Sequence, residues 1–124
     1  MRKIINTNKA PKAIGPYSQA IVANRFIFTA GQIPMTTNGK LLEGTIEEQT
    51  HQVMRNLKVI LNEAGVNFEN VVKTTMYVTD MSDSSRINMV YQNYFRDIFP
   101  ARETVAVSIL PAGAKLEMSM IAVK

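Results

Sequence analysis

The chain has 124 residues, of which 46% are hydrophobic and 19% charged, which is typical of one globular domain spanning residues 1–124. It has no cysteine and one histidine, His51, so disulfide frameworks, thiolate metal sites, cysteine nucleophiles and multi-histidine sites are excluded. The net charge is +4, and residues 1–42 hold six basic and no acidic side chains. These basic groups either attract nucleic acid or small anions, or simply solubilise a tail and a loop.

No apolar run is long enough to cross a membrane, and the N-terminus lacks the apolar stretch of a signal peptide, so we expect a cytosolic protein. Residues 10–18 are rich in turn formers and are predicted to be an ordered loop. Two short strands joined by a tight turn follow, over Ala20–Val22 and Arg25–Ala30. Residues 31–44 are predicted to be another loop.

The strongest helix signal covers residues 45–64. Thr45 and Glu48 make a capping box, apolar residues then recur at three- and four-residue steps, and Gly65 suits a left-handed stop. A β-rich segment, Val71–Thr79, is predicted to be the next strand.

A second helix is predicted to begin near Ser82-Asp83 and to end at Pro100. Its predicted apolar stripe includes Phe95 and Ile98. Two more strands are predicted, over Thr104–Leu110 and Lys115–Val123.

The order β-β-α-β-α-β-β predicts an α+β domain in which two helices cover one face of the sheet. The last strand is nevertheless apolar on both faces, with Leu116, Met118 and Met120 on one side and Ile121 and Val123 on the other. A second subunit therefore covers the free face, unless the protein is a monomer with an apolar surface.

Two charged residues are candidates for chemistry. Arg102 lies where the second helix gives way to a strand, so its guanidinium either binds a carboxylate or pairs with Glu103 or Asp97. Glu117 is the one acid of the last strand, and it either acts as a general acid or base on a water, or pairs with Lys115.

Three further residues could contact a ligand. Tyr17 follows Pro16 in a stiff loop and either donates from its phenol to a ligand or anchors the loop. Asn88 is either a polar ligand contact or an exposed amide of the second helix. Gly31 either lets backbone groups approach a ligand or forms a turn. His51 is interpreted as a solvated helix residue.

The spacing of the last two strands sets a geometric expectation. If they form a hairpin centred near Ala112, Arg102 and Glu117 are offset by roughly 16 Å along the ladder. They would then meet only across a subunit interface.

The sequence resembles the RidA/YjgF family of reactive-intermediate deaminases along almost its whole length. The matching segments are Ala13–Ala20, Gly31–Pro34, Gln49-Thr50, Asn56-Leu57, Val71–Thr75, Asp80–Asp83, Ile87-Asn88, Tyr91, Tyr94-Phe95, Pro100–Arg102, Leu110-Pro111, Leu116-Glu117 and Ile121-Ala122.

The resemblance implies a chorismate-mutase-like (YjgF-like) subunit and a homotrimer with ligand clefts between subunits. It also implies hydrolysis of 2-aminoacrylate, 2-aminocrotonate and their imines to 2-oxo acids and ammonium, with neither cofactor nor metal. A small-molecule imino or enamino acid is then the partner. From the sequence we expect no membrane partner, and we do not expect nucleic acid to be one.

By the same resemblance, Arg102 matches the arginine that binds the substrate carboxylate and Glu117 the acid that activates the attacking water. Tyr17 matches the loop tyrosine lining the pocket. Gly31 and Thr104 match positions whose backbone faces the ligand, and Asn88 matches a pocket-side asparagine.

Three residues depart from the family pattern: Glu103 replaces a small hydroxyl residue, Ser84 an aromatic one and Met89 an acidic one. Strand alternation predicts that Glu103 points away from Arg102. We therefore expect its carboxylate to have only a modest effect on the binding of an anionic substrate. Two alternatives to the deaminase remain at this point. One is a non-catalytic 2-oxo-acid-binding protein, and the other is an RNA-acting translation inhibitor or ribonuclease, which some family members have been described to be.

Overall fold

The computed structural model describes residues 2–124. Its strands are β1 (Arg2–Ile5), β2 (Ala20–Ala23), β3 (Phe26–Thr29), β4 (Val71–Val78), β5 (Ala101–Ala106) and β6 (Leu116–Val123), and its two α-helices are α1 (Ile46–Glu63) and α2 (Ser84–Tyr91). The strands form one mixed sheet in the order β1-β2-β3-β6-β4-β5. Neighbouring strands are antiparallel except β4 and β5, which are parallel because α2 carries the chain back across the sheet.

Helix α1 forms where the local signals predict it. The Thr45 side chain accepts from the Glu48 amide at 3.1 Å and the Glu48 carboxylate accepts from the Thr45 amide at 2.9 Å, which completes the capping box. The helix ends at Ala64, and Gly65 takes the left-handed conformation, with φ +83°.

Both helices pack on one face of the sheet, as predicted. The core lies between the helices and the sheet. It includes Met54 and Leu57 of α1, Met76 of β4 and Met118 of β6. This face is the helix side.

The opposite face is open in the single chain. Every second residue of β6, from Glu117 to Val123, lies there half-buried. Phe26 and Phe28 of β3 are 45% and 42% exposed on it. The two-sided apolar pattern predicted for the last strand is therefore confirmed.

The N-terminal segment, interpreted as a basic tail, is strand β1. It pairs with β2 from Arg2↔Ala23 to Ile5↔Ala20, so the sheet has one strand more than predicted. The segment escaped prediction because two of its four residues are charged and its partner lies more than ten residues further along the chain.

The last two strands do not form the hairpin that the geometric argument assumed. Strand β5 is an edge strand that pairs only with β4, whereas β6 lies between β3 and β4. Strand β5 also covers Ala101–Ala106 instead of the predicted 104–110, because its register with β4 runs from Lys73↔Ala101 to Val78↔Ala106.

Helix α2 ends nine residues before the predicted stop at Pro100. A 3-10 turn over Gln92–Tyr94 follows it, and Phe95 is extended, with φ −118° and ψ 141°. The chain leaves the helix there because it must reach the start of β5 at the sheet edge. Phe95 still packs into the core, but Ile98, placed on the predicted apolar stripe, is 83% exposed.

Candidate active site

Arg102 projects from the edge strand β5 on the helix side. Its strand partner is Thr74 of β4, which is fully buried on that side. The Arg102 guanidinium lies 4.9 Å from the centre of the Tyr91 ring. Within residues 2–124 no acidic side chain reaches ion-pair distance of it, so neither Glu103 nor Asp97 is its partner.

A cavity of about 460 Å³ opens beside this guanidinium. We call it the arginine cavity. It is lined by Asn88, Tyr91, Gln92, Phe99, Pro100 and Arg102. Asn88 and Gln92 are one helical turn apart, so both amides lie on the same wall of the cavity.

Thr104 lies on the same side of β5 as Arg102, two residues further along. It is half-buried, it pairs with Met76 of β4, and it is not among the residues lining the arginine cavity. It therefore borders the region of the guanidinium without contributing to the wall.

Glu117 lies on the open face of β6, opposite Tyr77 of β4. Burial raises the pKa of its carboxyl above the ordinary value of 4.5. In the part of the chain that the structure covers, no hydrogen bond or ion pair holds the carboxylate, and the alternative pairing with Lys115 is not formed.

Gly31 lies directly against this carboxylate. A Cβ added to Gly31 would overlap the Glu117 carboxylate, with Cδ only 2.8 Å away. A side chain at position 31 would therefore displace the Glu117 carboxylate. The backbone next to Gly31 is anchored by a bridge in which the Gln32 amide donates to the Met118 carbonyl at 2.8 Å.

Tyr17 and Gly31 line a second cavity, of about 240 Å³, which we call the loop cavity. The Tyr17 phenol oxygen accepts from the Ile14 amide at 3.2 Å. The buried Gln19 stabilises this loop, because its side chain accepts from the Thr7 amide at 2.7 Å and donates to the Pro11 carbonyl at 2.9 Å.

The six site residues therefore fall into two groups within one chain. Arg102, Asn88 and Thr104 lie on the helix side at the β5 edge, whereas Tyr17, Gly31 and Glu117 lie together at the other place. Two ladders separate Arg102 from Glu117, roughly 10 Å across and roughly 10 Å along the strands, with the side chains on opposite faces. They do not converge, although the reason differs from the predicted hairpin.

Glu103 points away from Arg102, as strand alternation predicts. Its carboxylate accepts from Lys73 Nζ at 3.1 Å and from the Thr75 hydroxyl at 2.9 Å on the open face. These hydrogen bonds, that from Lys73 first, lower the pKa of the Glu103 carboxyl. Of the other two departures, Ser84 opens α2 and Met89 is 62% exposed on it.

His51 is not the solvated residue that was predicted. It is half-buried, and its Nδ1 shares a 2.7 Å hydrogen bond with the Tyr94 hydroxyl. Within the described range 2–124, no group of three or more His, Cys, Asp or Glu side chains is arranged to hold a metal ion. Nor does any helix in that range have the length and apolar character to span a membrane.

Sequence reasoning missed four residues of the arginine cavity as site residues: Tyr91, Gln92, Phe99 and Pro100. Tyr91 and Gln92 follow Asn88 by three and four residues, a spacing that puts them on its face of a helix. Phe99 and Pro100 carried no such signal, because the segment before β5 is irregular.

The family model described as Endoribonuclease L-PSP matches residues 7–124. The chain belongs to this family. It is the RidA/YjgF family whose motifs the sequence carries, so the expected membership and the YjgF-like fold are confirmed.

Named relatives match the chain over its length. A RutC family protein of Pyrococcus abyssi is 49% identical, over 99% of this chain and 98% of the relative. The 2-iminobutanoate/2-iminopropanoate deaminase of Homo sapiens is 42% identical, over 100% of this chain and 91% of the relative.

Solved structures agree with this fold. A putative endoribonuclease from Thermotoga maritima superposes with a TM-score of 0.97 at 49% identity, covering 100% of this chain and 98% of the other. Escherichia coli TdcF with bound serine superposes with a TM-score of 0.94 at 37% identity, covering 98% of both chains.

Proposed function

We propose that the protein is a 2-iminobutanoate/2-iminopropanoate deaminase. It would hydrolyse 2-aminoacrylate, 2-aminocrotonate and their imines to 2-oxo acids and ammonium. The observation that carries the proposal is the guanidinium of Arg102, exposed at a cavity with an amide beside it and no acidic partner within residues 2–124. The human relative named as this deaminase supports it.

Arg102 binds the substrate carboxylate in this proposal. A guanidinium presents parallel N–H donors that match both oxygens of a carboxylate, which fixes the orientation of the small substrate. Asn88 offers an amide on the adjacent wall, and Thr104 continues the same strand face. The serine bound to Escherichia coli TdcF is likewise a small amino acid with a carboxylate.

Glu117 activates the water. The iminium carbon of CH₃–C(=NH₂⁺)–COO⁻ is already electrophilic, so water attacks it, a C–O bond forms, and the C–N bond then breaks. The water adds its oxygen to carbon and its two protons leave with nitrogen, which gives pyruvate and NH₄⁺. A half-buried carboxyl with a raised pKa suits these proton transfers, and Tyr17 and Gly31 line its surroundings.

The two groups of residues meet when different subunits supply them. We propose a homotrimer in which the Arg102 side of one chain faces the Glu117 side of another. Support comes from β5, an edge strand exposed on most of its residues, and from the exposed Phe26 and Phe28 on the open face. We further propose that residues 1–124 fold as one domain and that the protein is cytosolic.

A coupled assay tests the activity. A dehydratase would generate 2-aminoacrylate in situ, and loss of the imine would be followed with the wild type, Arg102→Ala, Arg102→Lys and a control, Arg96→Ala, whose side chain is 83% exposed. The proposal expects acceleration by wild type and Arg96→Ala, about 10²-fold or more lost in Arg102→Ala, and partial retention in Arg102→Lys. Wild type that does not accelerate the reaction contradicts it.

The family description and the basic N-terminal third favour RNA as a second candidate. Lys3, Lys9, Lys12 and Arg25 are all exposed. An RNA-acting protein would bind RNA with a steep salt dependence that weakens on substitution of these four residues and is indifferent to Arg102.

A further inference from the structure

The Arg102 guanidinium rests on an aromatic ring instead of an acid. Its centre is 4.9 Å from the ring centre of Tyr91, a distance at which a cation is attracted to the π face. The acid next to it in sequence, Glu103, is engaged on the other face of the strand by Lys73 and Thr75. Within residues 2–124 the guanidinium has no ion-pair partner, so its N–H donors are left for a ligand.

Tyr91 is itself fixed on two sides. Its hydroxyl donates to Thr74 Oγ1 at 2.9 Å, and its ring packs on Phe95 with the centroids 4.8 Å apart. Tyr91 is 4% exposed and Thr74 fully buried. Thr74 is also the strand partner of Arg102. One residue therefore contacts both the backbone that carries the arginine and the ring on which its side chain packs.

Phe95 extends this support into the core. It contacts Phe68 edge to face at 5.6 Å between centroids, and Phe68 contacts Tyr94 at 5.4 Å, whose hydroxyl is bonded to His51. The ring beneath Arg102 thus belongs to a packed aromatic cluster, which limits its freedom to turn away.

We propose that Tyr91 is a positioning residue that pre-orders the Arg102 guanidinium for a carboxylate, with Thr74 holding the ring. The proposal rests on the proposed function for the identity of the carboxylate. A long arginine side chain normally loses conformational entropy when it binds a ligand. If the Tyr91 ring already orders the side chain in the folded protein, that entropy is lost on folding and binding is tighter. A carboxylate partner could order the guanidinium as well, but it would compete with the substrate for the same N–H donors.

Three variants separate the ring from its hydroxyl. Tyr91→Leu removes the platform, Tyr91→Phe keeps the ring but loses the bond to Thr74, and Thr74→Val loses that bond from the other side. Each would be compared with the wild type in steady-state kinetics, in binding of 2-oxobutanoate, and in NMR relaxation of the Arg102 Nε–H group, with Arg96 as the internal mobile reference.

For Tyr91→Leu we expect KM and the Kd of 2-oxobutanoate to rise about 3- to 10-fold, with kcat changed less than about twofold. Tyr91→Phe and Thr74→Val keep the ring but lose the bond that holds it, so both constants should rise by a smaller factor, about 2- to 3-fold. Loss of folded protein alone would lower apparent kcat and leave KM unchanged, so the direction of the split separates positioning from a structural role.

Relaxation of the unliganded wild type carries the test even where Tyr91→Leu does not fold. The proposal expects Arg102 Nε–H to be nearly as rigid as the backbone, with Arg96 far more mobile. An Arg102 group as mobile as Arg96, or an unchanged KM in folded Tyr91→Leu, overturns it. If wild type does not hydrolyse imines, the proposed function fails while the relaxation and 2-oxobutanoate arms still decide this inference.

Discussion

At Glu117 the relation between burial and pKa sets a pH dependence. Burial is the cause of the raised pKa, so the carboxyl takes up its proton at a higher pH than the ordinary 4.5. Because the proposed role needs the carboxylate to accept a proton from water, kcat/KM should fall as pH drops through this raised value.

For Glu117→Gln we expect the acid limb of the kcat/KM profile to disappear and the rate at neutral pH to fall about 10²- to 10³-fold. A raised folded-state pKa gives stability below the unfolded value that is lost as pH rises through the folded value, so the ionised form opposes folding at neutral pH. The variant should therefore unfold at the same temperature as wild type or higher. Glu63→Gln, on the exposed end of α1, is the control, and an unchanged acid limb in Glu117→Gln contradicts the assignment.

Gly31 supplies the second prediction at this scale. Its φ lies outside the left-handed region, so alanine meets no backbone strain there and its cost comes from the overlap with the Glu117 carboxylate. Gly31→Ala should lower kcat/KM by about 10-fold or more because the carboxylate must move.

A double-mutant cycle checks this cause. In a Glu117→Ala background, with the overlapping carboxylate gone, Gly31→Ala should have little further effect on either kcat/KM or melting temperature. Additive losses would mean that Gly31 acts independently of Glu117.

Among the elements, the loop before β2 depends on the buried side chain of Gln19. Gln19 satisfies the Thr7 amide and the carbonyls of Thr7 and Pro11 from a position only 2% exposed. Gln19→Leu would leave these backbone groups without partners, at a cost of about 3 kcal/mol of folding free energy. Because the same loop carries Tyr17, activity should fall beyond what unfolding explains.

The matched control is Leu57→Ala in α1, which is fully buried and far along the chain from that loop. Because it leaves a cavity in the core, this variant should also lose about 3 kcal/mol of folding free energy. Its KM should nevertheless stay unchanged in the folded fraction. Melting curves and KM for both variants check the prediction, and equal KM values in the two would contradict a role for the loop.

How far an element can be predicted depends on where its stabilising contacts lie. Helix α1 was predicted nearly to the residue, since its capping box and its apolar period are local. Strand β1 was missed, and β5 was given the wrong bounds and partner, because their pairing depends on strands elsewhere in the sheet. Helix α2 was predicted too long because residues 95–98 continue an apolar spacing that the chain, on its way to β5, does not follow.

The site shows the same division. Residue type and motif pointed to Arg102, Glu117, Tyr17, Gly31 and Asn88, and the structure places them in two groups. Which of these residues come together depends on the order in which the strands pair, and the sequence did not reveal that order. The ring under Arg102 went unnoticed as a functional feature because an aromatic residue on an apolar helix stripe normally indicates core packing.

For the whole molecule, assembly should depend on the open face. Phe28 is 42% exposed there, so Phe28→Asp should leave the helix-side core intact while disfavouring contact with a second copy. We expect wild type to have the mass of three 13.9 kDa chains by light scattering, and the variant to be smaller and inactive. Lys58→Asp, on the exposed side of α1, should remain trimeric, and a trimeric, fully active Phe28→Asp would show that another surface forms the interface.

The proposal that each site takes Arg102 from one chain and Glu117 from another is tested most directly by mixing subunits. Differently tagged Arg102→Ala and Glu117→Gln chains would be co-expressed, and oligomers carrying both tags purified and assayed. Each trimer that carries both tags has one interface of three that pairs an intact Arg102 with an intact Glu117, so about one third of wild-type activity should return, while each parent alone stays inactive. Mixed oligomers as inactive as their parents would contradict a site shared between subunits.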